Sequence, residues 1–104
     1  MVWGGVLRMF KVDDETCAKI KEVLNKQQDK PQNIRVYMAG MGWGGPNFGL
    51  GLDQLGENDL EEVINGINFI MEKDLFDAVG KVEVTWNGYG YSVYATGIGA
   101  SNCG

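Results

Sequence analysis

Two cysteines, the absence of histidine and one glycine-rich run decide what chemistry this sequence could support. Cys17 lies in a segment with helical periodicity, and Cys103 lies in a tail of small residues. Because histidine is absent, the chain lacks the commonest general base and the commonest neutral metal ligand. We therefore expect no catalytic residue and no enzymatic activity. A thiolate at Cys103 could reach a metal or a disulfide partner, and an unremarkable terminal thiol is the alternative.

The glycine-rich run covers Gly40 to Gly51 and holds six of the sixteen glycines. Gly40, Gly42 and Gly45 match the pattern G-x-G-x-x-G, which in dinucleotide-binding proteins joins a strand to a helix. Here Pro46 and a second alternating segment follow, so no helix N-terminus would face a pyrophosphate. The pattern therefore does not predict a nucleotide site. Trp43, at the predicted tip of the loop, is typical of a packed lid or an interface anchor.

Strands are predicted on both sides of this glycine loop. Residues 33–39 would place Ile34, Val36 and Met38 on one face, and residues 48–53 would follow the loop. Glycines at 49 and 51 share one face of the second strand. Glycines in that position allow another backbone or a large ring to lie against the strand. Arg35 is expected to form an ion pair on the sheet face or to extend its charge to water.

The remaining segments predict a β-rich domain. Asp13 is a candidate N-cap for a helix whose apolar face would hold Cys17, Ile20, Val23, Leu24 and Gln27, with Cys17 as a small buried hydrophobe. Residues 58–71 fit a helix by periodicity, but Asn65-Gly66 favours strand, turn, strand, and we adopt that interpretation. Further elements are a strand at 9–12, a short helical turn at 73–79 and strands at 81–86 and 91–95. We predict a mainly β (α+β) fold with six or seven short strands and one N-terminal helix.

Composition narrows the classes of partner. The chain has 104 residues and a net charge of −5, so we expect one domain that binds neither nucleic acid nor membrane. Two cysteines far apart do not indicate a disulfide framework, and we expect a cytoplasmic location. Residues 53–77 carry eight acidic side chains and one lysine. We interpret this stretch as a solvated face, with a docking patch as the alternative.

The order of several motifs resembles the HesB-like family, the A-type carriers of iron–sulfur cluster biogenesis. The resemblance covers residues 9–104, so residues 1–8 are expected to be an N-terminal extension. The motifs that carry it are Phe10–Val12, Pro31–Val36, Ala39–Pro46, Phe48–Asp53, Asn65–Ile67 and Ser101–Gly104. The family's fold is a compact β-rich pseudo-barrel with an N-terminal helix, which agrees with the elements predicted above.

The resemblance also implies a function. Members carry iron or iron–sulfur clusters to apoprotein acceptors, act with iron–sulfur assembly proteins, and commonly form dimers with the cluster between protomers. Their ligands are one cysteine in the glycine loop and a Cys-Gly-Cys pair near the C-terminus. By this resemblance Cys103 is the metal ligand, and the loop beside it comprises Gly40, Gly42, Trp43, Gly44 and Gly45.

The sequence departs from the family pattern at two positions. Trp43 stands where the loop cysteine is expected, and an indole offers only an N–H donor, so it cannot bind iron. The second cysteine of the terminal pair would follow Gly104. A selenocysteine codon read as stop is one hypothesis for that ending, and the choice of chain boundary is the other. The alternative functions are a metal-free protein-interaction module and a thiol or selenol redox tail.

Overall fold

The computed structural model describes residues 9–42 and 45–96. These residues form seven strands and two helices in the order β1, α1, β2, β3, β4, β5, α2, β6, β7. Their bounds are β1 Phe10–Val12, α1 Asp14–Lys26, β2 Asn33–Gly42, β3 Gly45–Asp53, β4 Asp59–Ile64, β5 Ile67–Glu72, α2 Lys73–Val79, β6 Val82–Trp86 and β7 Tyr91–Ala95.

Helix α1 begins as its sequence predicts. The carboxylate of Asp13 accepts a hydrogen bond from the backbone N–H of Thr16 at 2.9 Å, and this satisfies a donor that the first turn leaves open. Cys17, Ile20 and Leu24 are buried on the face that packs on the sheets. Val23 was predicted on the same face but is 39% exposed, because it lies at the edge of the apolar stripe.

The segment with two interpretations is a hairpin. Strands β4 and β5 pair antiparallel around Asn65-Gly66, where both residues have positive φ, 52° and 83°. Those angles match a two-residue turn in which asparagine and glycine are favoured, so the preference for strand, turn, strand is confirmed. The helical turn predicted after β5 is α2, which ends at Gly80 with φ of 77°. The fold therefore has a second helix in addition to the predicted N-terminal one.

The strands form two mixed sheets. One has the order β3-β2-β5-β4, with β2 and β5 parallel, and the other has the order β1-β6-β7, with β1 and β6 parallel. Strand β7 lies against β3, and the described strands do not close into a barrel. The predicted β-rich fold is thus confirmed, as two sheets that enclose one core rather than a continuous barrel.

One core lies between α1 and the two sheets. Five elements each contribute a buried side chain to it: Phe10 from β1, Ile20 from α1, Val36 from β2, Phe69 from β5 and Val84 from β6. The rings of Phe10 and Phe69 have centroids 5.5 Å apart. Among the described helices, neither is long and apolar enough to cross a membrane.

Candidate functional site

The glycine-rich run forms a β-hairpin and not the open loop that the sequence suggested. Pairing between β2 and β3 continues as far as Gly42 opposite Gly45, and Gly40 lies opposite Asn47. The prediction ended the first strand at residue 39 and began the second at residue 48, because so many glycines indicate backbone conformations that other residues avoid. In the hairpin each strand instead supplies the other's backbone hydrogen-bond partners, so the ladder continues through these glycines. Trp43 and Gly44 lie outside the described residues.

A break in the β2–β3 register lies between Met38 and Gly40, which leaves Ala39 without an opposing residue. Such a bulge bends and twists a hairpin locally. A Cβ at Gly40 would meet no atom within 4 Å, and a Cβ at Gly42 would approach the flexible amide of Asn47 at 2.9 Å. Neither glycine is therefore required by a close backbone contact among the described residues.

Tyr37 explains the glycines of β3. Its ring occupies the space above Gly49, where a Cβ would come within 2.8 Å of the ring Cζ, and it extends to Gly51, where a Cβ would lie 3.6 Å from Cε1. The sequence predicted that a large ring or another backbone would cover these glycines, and the ring belongs to the neighbouring strand. Tyr37 itself remains 43% exposed.

Arg35 is the centre of an ionic cluster at the base of the same hairpin. Its guanidinium donates to both carboxylate oxygens of Asp59, at 2.7 and 2.6 Å, and to Asp53 at 2.7 Å. It also donates to the carbonyl of Gln54 at 3.2 Å. The side chain of Asp59 is only 5% exposed, and it also accepts the backbone N–H of Gly56 at 2.6 Å. The predicted sheet-face ion pair is confirmed.

This cluster perturbs the titration of its members. The hydrogen bonds from Arg35 lower the pKa of Asp59 and of Asp53 below the ordinary value of 3.8. The hydrogen bond to Asp59 raises the pKa of Arg35 in turn, so its charge persists at every accessible pH. Sequence reasoning found no paired carboxylates, because two residues that are six positions apart meet only through the arginine of a third strand. The guanidinium is paired with both carboxylates, so the cluster connects β2 to the end of β3 and the start of β4.

Of the two cysteines, the structure describes the surroundings of Cys17 alone. Cys17 is buried in the core at 2% exposure, as predicted, so its thiol is not open to an iron atom at the surface. Cys103, the predicted ligand, lies outside the described residues. Within residues 9–42 and 45–96, no three acidic, cysteine or histidine side chains converge on a point that could hold a metal ion.

Two surface depressions flank the hairpin. One is an apolar cavity of about 190 Å³ between α1 and the ends of β2 and β3, lined by Ile20, Val23, Ile34, Leu50, Leu52 and Tyr91. The other is a wider groove between β2 and α2, where Arg35, Tyr37 and Met38 face Glu72, Asp74 and Leu75. The first contains no charged group, whereas the second has an acidic rim.

No protein-family model and no curated protein sequence matches the chain. Several solved structures do match it. The chain superposes on SufA of Escherichia coli, which is involved in the biosynthesis of iron–sulfur clusters, with a TM-score of 0.72 over 86% of this chain and 82% of SufA, at 15% identity. A protein from Aquifex aeolicus superposes with a TM-score of 0.65 over 92% of this chain and 98% of that protein, at 19% identity.

A third neighbour is IscA, solved with its [2Fe-2S] cluster. It superposes with a TM-score of 0.64 over 85% of this chain and 84% of IscA, at 13% identity. Each of the three structures covers at least 85% of this chain with a TM-score of at least 0.64. The protein therefore has a HesB/IscA-like fold.

Proposed function

We propose that this protein is a carrier of iron or of an iron–sulfur cluster, which it passes to apoprotein acceptors. The observation that supports the proposal best is the fold that the protein shares with SufA and IscA. SufA is involved in the biosynthesis of iron–sulfur clusters, and IscA was solved with a [2Fe-2S] cluster. The cluster is the cargo of such a protein and not a catalytic group. The protein is then not an enzyme, and it works in the cytoplasm with the iron–sulfur assembly proteins that load it.

Cys103 is the proposed ligand. Soft thiolates suit iron and iron–sulfur clusters, and Cys17 is enclosed by the core. Cys103 follows Ala95, the end of β7, by eight residues, which can span up to about 28 Å when extended. Strand β7 lies against β3, and β3 is one of the two strands of the glycine-rich hairpin. A tail of this reach supports a position of the thiol beside the hairpin that contains Gly40, Gly42, Trp43, Gly44 and Gly45.

The number of thiolates limits how a cluster would be held. One chain supplies Cys103, and a symmetric dimer supplies two copies of it, whereas a cluster takes about four protein thiolates. Small-molecule thiols would complete the coordination. We therefore propose a homodimer with the cluster between its protomers, and a cluster that is bound more weakly than one with a full set of protein ligands.

Anaerobic reconstitution with iron, sulfide and a small thiol tests the proposal. We expect visible absorbance and bound iron in the wild-type chain, and loss of both in Cys103→Ser. Cys17→Ala is the control, because it removes the other thiol and should leave iron binding unchanged. Equal iron in wild type and Cys103→Ser would contradict the role of Cys103, and loss of iron in a folded Cys17→Ala variant would contradict the assignment of Cys17 to the core.

A metal-free interaction module is the second candidate function. It is supported by the hairpin surface, where Tyr37 and Met38 are each 43% exposed and where Trp43 replaces a ligand that the family resemblance implies. A chain lengthened by one cysteine after Gly104 separates the two candidates. If both this variant and the wild type stay colourless after reconstitution, the interaction module is favoured.

Two finer hypotheses stay predictions. The selenocysteine reading is tested by the codon that follows Gly104 in the gene, where any stop other than UGA would exclude it. A redox role of the tail is tested by whether the thiol of Cys103 exchanges with a small disulfide faster than an unperturbed thiol does at the same pH.

A further inference from the structure

The open edge of β2 is the feature from which a further inference follows. Strand β5 pairs with β2 only from Asn33 to Val36, and it ends at Glu72, where α2 begins. Strand β2 continues to Gly42, so residues 37–42 extend past their neighbour. On that side, none of these residues has a backbone hydrogen bond to another described residue. The edge is about 20 Å long and can accept one further strand.

A groove lies where that strand would run. It measures about 520 Å³ and separates β2 from α2. Met38 of β2 and Leu75 of α2 supply an apolar surface, with the buried Val36 beneath them. An incoming strand places alternate side chains on opposite faces, so every second side chain would point towards this apolar surface.

The charges around the groove determine what kind of strand fits. Glu72 and Asp74 stand exposed on its rim, and neither forms an ion pair with another described residue. Lys73 is engaged by Asp77 at 2.9 Å, and Arg35 by Asp59 and Asp53. The rim therefore presents net negative charge, although it includes an arginine. No charged residue occurs between Arg35 and Asp53, so the edge lacks the lysines that protect many exposed strands from pairing.

We infer that the edge of β2 at residues 37–42 binds an extended, basic and apolar peptide segment of another protein, which adds a strand to the sheet in the groove between β2 and α2. The backbone of the peptide would pair with β2, aliphatic side chains would contact Met38 and Leu75, and lysine or arginine side chains would meet Glu72 and Asp74. This binding does not require a cluster, so it stands apart from the proposed carrier role.

Nuclear magnetic resonance titration of the ¹⁵N-labelled full chain tests the inference. The probe is a short peptide in which lysine alternates with valine. We expect the amide resonances of residues 37–42 and of α2 to shift, and the affinity to fall as salt is added. A peptide in which glutamate replaces lysine, and one in which proline replaces the central valine, should not bind, because the first is repelled and the second lacks a backbone donor.

Charge variants of the protein provide a second test of the inference. Glu72→Gln combined with Asp74→Asn should weaken binding of the lysine–valine peptide by about tenfold, as expected for two partly exposed charge pairs. Glu15→Gln combined with Asp29→Asn removes the same charge from α1 and its end, and should leave the affinity unchanged. Cys103→Ser without iron should bind as the wild type does, which separates a failure here from a failure of the carrier role.

Three results would overturn the inference. The first is no shift at residues 37–42, or equal shifts with the glutamate peptide. The second is a dependence of these resonances on protein concentration without peptide, since the edge would then pair with a second copy of the chain. The third is a change in them when the chain is ended at Thr96, since the chain's own tail would then occupy the edge.

Discussion

The ring of Tyr37 lies over Gly49, its pairing partner on the neighbouring strand, so closely that a Cβ at residue 49 would come within 2.8 Å of the ring. An aromatic ring over a glycine in a neighbouring strand covers backbone that would otherwise be exposed. It also fixes the side chain on the outer face of the hairpin. This contact therefore determines part of the surface that any partner of the hairpin would meet.

Gly49→Ala should displace the ring of Tyr37. The ring end can move because it is 43% exposed, so we expect a loss of about 1 kcal/mol in the free energy of unfolding and not a failure to fold. Gly51→Ala is the matched control: its Cβ would lie 3.6 Å from the ring, an ordinary contact, and stability should be nearly unchanged. Urea denaturation measures both. If Tyr37→Ala does not remove most of the cost of Gly49→Ala in a double-mutant cycle, the explanation is wrong.

Asp59→Asn should destabilise the protein by about 2 kcal/mol, because it leaves the Arg35 guanidinium without the partner that binds it at two points. Asp53→Asn should cost less, since the side chain of Asp53 is 54% exposed and water can replace it. Thermal or urea denaturation at neutral pH ranks the two. An equal or greater loss in Asp53→Asn would contradict this ranking.

The same cluster predicts a dependence of stability on acid. Because Arg35 lowers the pKa of Asp59 and Asp53, the unfolded chain binds more protons than the folded chain just below the ordinary value of 3.8. Their contribution to stability is complete above that value and is lost as pH falls through the lower pKa values of the folded state. We expect the free energy of unfolding to fall less steeply with pH in Asp59→Asn than in the wild type between about pH 4 and pH 2. The difference in slope should correspond to the loss of about one titrating carboxylate. An unchanged slope would show that this ion pair does not couple folding to protonation.

Thr16→Val should remove the acceptor for the backbone N–H of Trp86. Thr16 is fully buried, and its hydroxyl accepts that hydrogen bond at 2.9 Å, which ties α1 to the end of β6. An unsatisfied buried donor costs about 1–3 kcal/mol, so we expect a loss of that size, measured by denaturation. Thr16→Ser keeps the hydroxyl and should lose less. The account fails if the valine variant is as stable as the serine variant.

Local signals predicted much of this fold. Asp13 before an apolar period of 3.6 residues located the start of α1, and Asn65-Gly66 located a turn that helical periodicity alone would have missed. Both signals depend on residues that are close in sequence, because capping and tight turns are local. The family motifs added the overall arrangement, which the structural neighbours support.

The features of the fold that the sequence did not predict depend on contacts between residues that are distant in sequence. Met38 continues the apolar alternation of Ile34 and Val36, but it lies beyond the end of β5 and is 43% exposed. Alternation assigns a side chain to a face of a strand and does not show where the covering layer ends. The glycines at 40, 42 and 45 join a ladder for a similar reason, since pairing across the hairpin overrides their weak strand preference. The proposed cluster site at Cys103 would require an association of chains, which one chain's periodicity does not encode.

Transfer of a cluster is the measurement that tests the carrier role most directly. The chain would be loaded anaerobically, freed of unbound iron, and mixed with an apoferredoxin whose circular dichroism reports insertion of a cluster. We expect the ferredoxin signal to appear as iron leaves the wild-type chain, and Cys103→Ser carried through the same steps to give no signal above that of iron and sulfide alone. A wild-type chain that keeps its iron, or equal transfer by wild type and Cys103→Ser, would contradict the proposal that this protein delivers clusters through Cys103.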